Sequence, residues 1–346
     1  MKLKNFLKIK KSNSPILIAE ISGNHCGKKS LFLKHIISAA KSGADLIKIQ
    51  TYEPQDITIN TNNKKFFINS GTWKGMRLWD IYKKAHTPFK WHKDAFALCK
   101  KIGVGLFSSP FSMRAVDLLE KFNVKLYKIA SFEITDLKLI DYIASKRKPI
   151  IISTGMATNK EISEAIKTIK RYHNKIIILY CVSGYPAREK DLNLINLKSL
   201  KKRYAQYSIG LSDHTKEIHT SLTATILGAE VIEKHFIISE KLNSLDKKFS
   251  INPLQMRELK KRTQSIYDSI GKIKNGPKRI EKNSVKIRRS LFAIENIKKG
   301  EKFSEINVGT FRPVIGLPAN FYFKIIGKVS KKNIKKNLPI KKSAVF

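Results

Sequence analysis

Eight short runs of mostly β-branched, apolar residues recur along the first two thirds of the chain. They are Ile16–Ile21, Asp45–Thr51, Val104–Pro110, Leu126–Ser131, Ile150–Gly155, Ile176–Ser183, Ser208–His214 and Val231–Ile237. The runs are near-continuously apolar instead of alternating, as strands buried on both faces should be. Amphipathic segments lie between them. Leu31–Ser42 carries Leu31, Leu33, Ile36, Ile37 and Ala40 at helical spacing, and Asn159–Tyr172 follows a cap-like Thr158 and Glu161. Lys138–Lys146 and Thr215–Leu227 read as further helices, and Pro253–Ile270 as the last, with Pro at its start. Eight β–α units in series predict a closed (β/α)8 TIM barrel, class α/β. The alternative, an open doubly wound sheet, calls for a Gly-rich phosphate loop after the first strand. Ser22-Gly23-Asn24-His25-Cys26-Gly27 does not have that spacing.

A chain of 346 residues suits such a barrel, residues 1–270, with a small appendage. Residues 271–289 are charged and contain Gly and Pro, and read as a linker. Residues 290–346 read as a small β-rich module with strands at Ser290–Ile294, Val308–Pro313 and Ile325–Val329. One connection is anomalous: residues 52–89 separate the second strand from its helix, where about 2–6 residues are usual. Such an insertion at a strand C-terminus is expected to be a lid or substrate wall, or packing that covers the barrel end.

No signal-type apolar region follows the basic Met1–Lys11 before Ser12-Asn13-Ser14-Pro15, so no signal peptide is expected, and no apolar stretch reaches the ~20 residues of a membrane span. Three scattered cysteines, Cys26, Cys99 and Cys181, do not make a disulfide framework and fit a reducing cytoplasm. The net charge of +41 invites a nucleic-acid reading. Arg, however, supplies only 12 of the 68 basic residues, and the Lys are scattered over helical faces and both termini. Together with abundant Ile and Asn this fits AT-rich codons better than a binding stripe, so neither nucleic acid nor membrane is expected as a partner.

The eight runs end in polar groups, all on the side where a barrel keeps its chemistry. His214 and His235 end consecutive strands, close enough for two imidazoles to share a divalent ion such as Mn²⁺, Mg²⁺ or Co²⁺, or else to cap their strands. Lys48 and Lys128, with Ser109, Ser131, Ser153, Ser183 and Ser212, suit a cradle for a phosphate and a carboxylate. Lys128 equally suits a Schiff-base aldolase. Glu20 and Glu133 are candidates for proton transfer, or for salt bridges inside the bowl.

These endings resemble the sialic-acid synthase family. The blocks that carry the resemblance are Ile18-Ala19-Glu20-Ile21-Ser22-Gly23-Asn24-His25, Ile47-Lys48-Ile49-Gln50-Thr51, Phe107-Ser108-Ser109-Pro110-Phe111, Tyr127-Lys128-Ile129-Ala130-Ser131-Phe132-Glu133, Ile152-Ser153-Thr154-Gly155-Met156, Gly210-Leu211-Ser212-Asp213-His214-Thr215 and Ile232-Glu233-Lys234-His235-Phe236. Arg288-Arg289-Ser290-Leu291 and Phe311-Arg312-Pro313 resemble that family's antifreeze-like (SAF) domain. The resemblance implies a synthase that joins phosphoenolpyruvate to an N-acylated amino sugar, releasing phosphate by C–O cleavage. It implies His214 and His235 as metal ligands. Lys48, Ser109, Lys128, Ser131, Ser153, Ser183 and Ser212 match phosphoenolpyruvate contacts, and Glu20, Glu133, Tyr185 and Asp246 match groups around the reacting centre. Asp246 follows Asn243-Ser244-Leu245, where the family commonly has Gly-Gly-Pro. Arg312 matches an arginine that reaches the sugar's N-acyl group from a partner subunit, which implies a domain-swapped homodimer. Within the family, Gly71-Thr72-Trp73-Lys74-Gly75, Leu78-Trp79-Asp80-Ile81-Tyr82 and Ala85-His86-Thr87-Pro88 resemble the pseudaminate-forming branch, with legionaminate and N-acetylneuraminate as the alternative products.

Overall fold

The apolar runs form eight parallel strands: β1 Ile16–Glu20, β2 Leu46–Thr51, β3 Gly105–Pro110, β4 Tyr127–Ile129, β5 Ile150–Ser153, β6 Ile176–Cys181, β7 Ser208–Asp213 and β8 Val231–His235. Each pairs with the next, and β8 returns to β1 with Ile16 opposite Val231 and Glu20 opposite His235. The sheet is therefore a closed barrel, which excludes the open doubly wound alternative. The computed structural model describes residues 14–271 and 273–346, so the basic segment Met1–Lys11 lies outside the described residues.

Around the strands run α1 Lys29–Lys41, α2 Leu78–Ala85, α3 Phe89–Ile102, α4 Met113–Lys121, α5 Leu137–Ser145, α6 Asn159–Lys170, α7 Asn196–Arg203, α8 His219–Ile226 and α9 Pro253–Ile270. The caps read from sequence form. Glu161 N donates to Thr158 Oγ1 and Thr158 N to Glu161 Oε2, while Asn252 and Gln255 exchange the same pair of bonds ahead of Pro253. Ile18, Ile47, Ile49, Ile150, Ile151, Ile152 and Ile178 are fully or almost fully buried in one continuous core with the inner faces of the helices. Each such side chain contributes about 1.5–3 kcal/mol. Gly210 has a steric duty here: a Cβ would lie 2.2 Å from Val231 O, so a side chain would push β7 off β8.

Two expectations shift. The helix expected from Thr215 begins only at His219, because Thr215 N and the hydroxyls of Thr215, Thr220 and Ser221 all turn to the Asp213 carboxylate. Side-chain acceptors of this kind compete with helical hydrogen bonds. The fourth strand has three residues, because Ser131–Glu133 turn into a 3-10 helix at the barrel mouth.

The chain divides into two units between Gly271 and Lys272. In the second, β9 Ser290–Ala293 and β10 Val308–Phe311 pair antiparallel over a core of Leu291, Phe303, Val308, Ile325 and Ile340. Part of the stretch read as a linker is ordered as α10 Lys282–Lys286. The strand expected at Ile325–Val329 does not form. Ile325 instead ends a short helix, α11 Tyr322–Ile325, and Gly327 takes φ 85°, where only Gly sits without strain. Its N–H donates to Phe303 O at 2.7 Å.

Residues 52–89 form an arm. Phe67 and Arg77 pair antiparallel, and the chain reverses through Gly71 and Gly75, both at positive φ. The arm then runs into α2, which carries Leu78, Ile81, Tyr82 and Ala85 at i, i+3, i+4 and i+7.

Candidate active site

The C-terminal ends of the strands surround a cavity of about 560 Å³. Its polar lining includes Lys48, Lys128, Ser131, Glu133, Ser153, Tyr185, Ser212, His214, Glu233, His235 and Asp246, so most of the residues singled out from sequence share one space. Glu20 is fully buried beside Lys48, and Ser109 is buried opposite Gln50 of β2, which itself lines the cavity. Ser183 abuts Gly155, where a Cβ would stand 2.2 Å from its Oγ and 2.7 Å from Ser131 Oγ. Arg312 is carried by the second unit and is exposed.

The floor is a knot of buried charge. Lys48 Nζ lies 2.9 Å from Glu20 Oε2 and 2.9 Å from Glu233 Oε1. Lys128 Nζ donates to the same Glu233 oxygen at 3.0 Å, and Ser212 Oγ at 3.2 Å. Burial pushes the Glu20 carboxyl up to about 7, with Lys48 opposing and Glu233 adding to the rise. Burial also acts against the charge of Lys48, but Glu20 and Glu233 outweigh it and hold its pKa above the ordinary lysine value. Lys128 is lowered by burial, only partly offset by Glu233. Burial opposes the charge of Glu233 as well, and Lys128 and Lys48 overcome it, so Glu233 remains ionised. Ser109 and Ser153 make no hydrogen bond among the described residues, which leaves buried donors for an incoming anion.

The two histidines are buried, with ring centroids 5.3 Å apart. His214 Nδ1 lies 3.2 Å from Val182 O, an acceptor only, so Nδ1 carries a proton. Burial opposes the charge of His214, but Cys181 beside it and the Val182 carbonyl outweigh burial and hold its pKa above the ordinary histidine value. Burial, then His214 and Lys48, keep His235 neutral. Its Nδ1 lies 3.8 Å from Asp246 Oδ2, and Asp246 is itself fixed by the Gly23 N–H at 3.3 Å. Among the described residues no group of three or more His, Cys, Asp or Glu side chains is arranged to hold an ion. A divalent metal held there by the two imidazoles would displace the proton that His214 favours and take its remaining positions from water and substrate.

Behind the histidines, Asp213 and Lys234 face each other across β7 and β8, 3.1 Å apart and buried. The hydroxyls of Thr215, Thr220 and Ser221 complete the carboxylate's bonds. This knot ties together the two strand ends that present the imidazoles.

Glu133 marks the edge of the floor. Burial lifts its carboxyl to about 7, with Lys128 and Lys48 opposing and Asp136 adding to the rise. Above it the cavity is walled by Ile57, Ile68, Trp73, Leu78, Ile81, Tyr82 and Ala85 of the arm, with Phe111. The arm is thus a wall of the cavity.

Sequence reasoning saw Glu233 only as a neighbour of a histidine, whereas it joins both lysines. It missed Phe249, whose ring lies 4.8 Å from His235 and 5.3 Å from Tyr185. It saw Trp73 only as part of an insertion. No local pattern marks such cross-loop ring contacts.

The comparisons with known proteins agree with this geometry. The NeuB family matches residues 35–275 and the SAF domain residues 288–345. The chain is 40% identical to the pseudaminic acid synthase of Helicobacter pylori, over 94% of this chain and 96% of that one. It is 37% identical to the N,N'-diacetyllegionaminic acid synthase of Campylobacter jejuni, over 93% and 97%. A solved N-acetylneuraminic acid (sialic acid) synthetase from Leptospira borgpetersenii superposes with a TM-score of 0.71 at 31% identity, covering 79% of this chain and 91% of that one. With the barrel, the two lysines and the two histidines in place, this chain belongs to the NeuB family.

Proposed function

We propose that the protein is a pseudaminic acid synthase. It condenses phosphoenolpyruvate with 2,4-diacetamido-2,4,6-trideoxy-L-altropyranose and water to give pseudaminate and phosphate. The observation that carries this reading is one cavity in which a buried lysine pair and a buried histidine pair lie below an apolar wall. The name of the Helicobacter pylori relative supports the acceptor.

Lys48, Lys128, Ser131, Ser153 and Ser212 hold the phosphate and carboxylate of phosphoenolpyruvate, with Ser109 and Ser183 behind them. Glu233 keeps both ammonium groups in place before the anion arrives, so little reorganisation accompanies binding. His214 and His235 would hold a divalent cation such as Mn²⁺, Mg²⁺ or Co²⁺, with Asp246 beside His235. When bound, it would supply Lewis-acid polarisation of the acceptor's aldehyde. Carbon 3 of phosphoenolpyruvate bonds to the aldehyde carbon, and Glu133 gives its proton to the carbonyl oxygen. Positive charge is left at carbon 2, where a water adds and loses a proton to Glu20. The tetrahedral centre then expels phosphate by cleavage of the bond between carbon 2 and the phosphate-bearing oxygen, while the new hydroxyl becomes the ketone carbonyl and its proton leaves with the phosphate. Tyr185 closes the acceptor side near His214.

The test is phosphate release with purified protein and an acceptor panel, alongside calorimetric metal titration. His235→Ala should abolish both chelator-sensitive turnover and metal binding; unchanged binding would remove the histidine site. Turnover of N-acetylmannosamine alone would move the chain to another branch.

One observation favours a second reading. Burial lowers Lys128 toward the neutral amine a Schiff-base aldolase needs. Borohydride trapping with pyruvate would reveal it. The resemblance further supports a homodimer in which Arg312 of the partner subunit reaches the N-acyl group. Mixing inactive His235→Ala and Arg312→Ala chains should then restore activity, and no restoration would count against the exchange.

A further inference from the structure

Resting on that reading, we propose that Trp73 is an acceptor-binding residue. The face it forms with Ile68, Leu78 and Tyr82 takes the deoxygenated, N-acylated end of the sugar. Trp73 sits at the tip of the arm between Gly71 and Gly75, and two loops hold it there. The hydroxyl of Thr72 donates to Tyr185 O in the loop after β6, and Trp73 Nε1 donates to Leu245 O at 3.3 Å in the loop after β8. The indole ring is 5.6 Å from Tyr185 and 6.1 Å from Phe249. Those two rings are in turn 4.5 Å from His214 and 4.8 Å from His235. One layer of aromatic rings therefore separates Trp73 from the imidazoles. An acceptor whose carbonyl carbon is at the floor extends toward this layer.

The chemistry of the wall selects what end it meets. The indole N–H is already engaged by Leu245, so the ring offers the cavity only carbon. Ile57, Ile68, Leu78, Ile81 and Ala85 offer nothing else either, which leaves, among the described residues, the Tyr82 hydroxyl as the one polar side-chain group the arm adds to this face. A methyl at carbon 6 and the methyl of an acetamido group can be buried there without leaving a polar group unpaired. A hydroxyl at carbon 6 loses its water and finds few partners. Apolar pockets discriminate against an added hydroxyl by no more than about 100-fold, which bounds the expected preference.

The experiment compares kcat/KM for the 2,4-diacetamido-2,4,6-trideoxy acceptor and for N-acetylmannosamine, with KM for phosphoenolpyruvate in parallel, using the full chain. Trp73→Ala should raise KM for the trideoxy acceptor about tenfold and shrink the preference by a similar factor. KM for phosphoenolpyruvate should stay within about twofold. Trp73→Phe, which keeps a ring, should recover most of the loss. Leu78→Ser, which leaves the indole in place, should shrink the preference severalfold even if Trp73→Ala does not fold. An unchanged acceptor KM in Trp73→Ala, equal rises in both KM values, or an unchanged preference in Leu78→Ser would overturn the proposal while leaving the synthase reading intact. A wild-type protein that fails to turn over the trideoxy acceptor would overturn the reading and the proposal together.

Discussion

On the floor of the cavity Lys48, Lys128, Glu20 and Glu233 are buried charges that hold one another. On the arm, Leu78, Ile81, Tyr82 and Ala85 are a helical stripe turned toward the same space. The two regions handle water in opposite ways. Removing an ion from water costs several kcal/mol, and a buried pair is seldom worth more than apolar packing, so the floor is poorly explained as a device for stability. It is better explained as a site made ready for an anion, with its donors fixed by strands whose hydrogen bonds the barrel dictates. The arm has no such constraint from the barrel, because it is an insertion after one strand. Relatives named for pseudaminic, legionaminic and N-acetylneuraminic acids share the fold. Under the proposed function, charge recognition falls to the barrel floor and acceptor choice to the arm.

The largest test of that division is Lys128→Met. It removes one of the two cations from Glu233 and a donor for phosphoenolpyruvate. Losing one partner of a buried pair costs about 3–5 kcal/mol, so kcat/KM for phosphoenolpyruvate should fall about 10³-fold. Acceptor binding should change far less when measured by calorimetry. A variant retaining a tenth of the activity would mean that the floor does not act as a unit. Gly155→Ala should come next. Its Cβ would collide with Ser183 and Ser131, and displacing cradle groups by about 1 Å costs roughly 100-fold. That loss should appear in KM for phosphoenolpyruvate, and an equal loss in the acceptor KM would blur the two regions.

The floor was legible in the sequence, and so was the arm's place as a wall, but the ring contacts that build the wall were not. Polar residues at the ends of buried strands are a local pattern. Once the strands are known, barrel topology brings Lys48, Lys128, His214 and His235 together. Tyr185 was legible as the polar end of the sixth run, whereas the roles of Asp246 and Arg312 entered only through family resemblance. Trp73 and Phe249 meet Tyr185 from positions far apart in the chain, and their apolar character could equally mark core packing. The missing strand at Ile325–Val329 is a similar case. Its apolar run suited a strand, but Gly327 and the turn of Tyr322–Ile325 prevail.

Glu133 lies where the regions meet, sensed by Lys128 and Lys48 below and by Tyr82 above. As a proton donor with a carboxyl at about 7, it should make kcat/KM fall up to tenfold per pH unit above about 7. Glu133→Gln should remove that limb; an unchanged limb would assign the proton to another group. Stability gives an independent reading. A carboxyl raised from 4.5 to about 7 favours the folded state fully below pH 4.5. That advantage is lost as pH rises through about 7. Glu133→Gln should therefore gain stability over the wild type at pH 8, by no more than about 3 kcal/mol, and not at pH 4.

The smallest effect probes how firmly the wall is attached. Thr72→Val keeps the shape of the arm's tip but removes the hydroxyl that donates to Tyr185 O, leaving the Trp73 bond to Leu245 as the remaining latch. One neutral hydrogen bond is worth about 0.5–1.5 kcal/mol. The acceptor KM should accordingly rise about threefold, with no change on the phosphoenolpyruvate side. Val is nearly isosteric with Thr, so the change reports the latch and not a cavity. If instead phosphoenolpyruvate binding weakened as well, the loop after β6 would be transmitting strain from the arm to Ser183. The wall and the floor would then be one structure, and the separation drawn between them would fail at that loop.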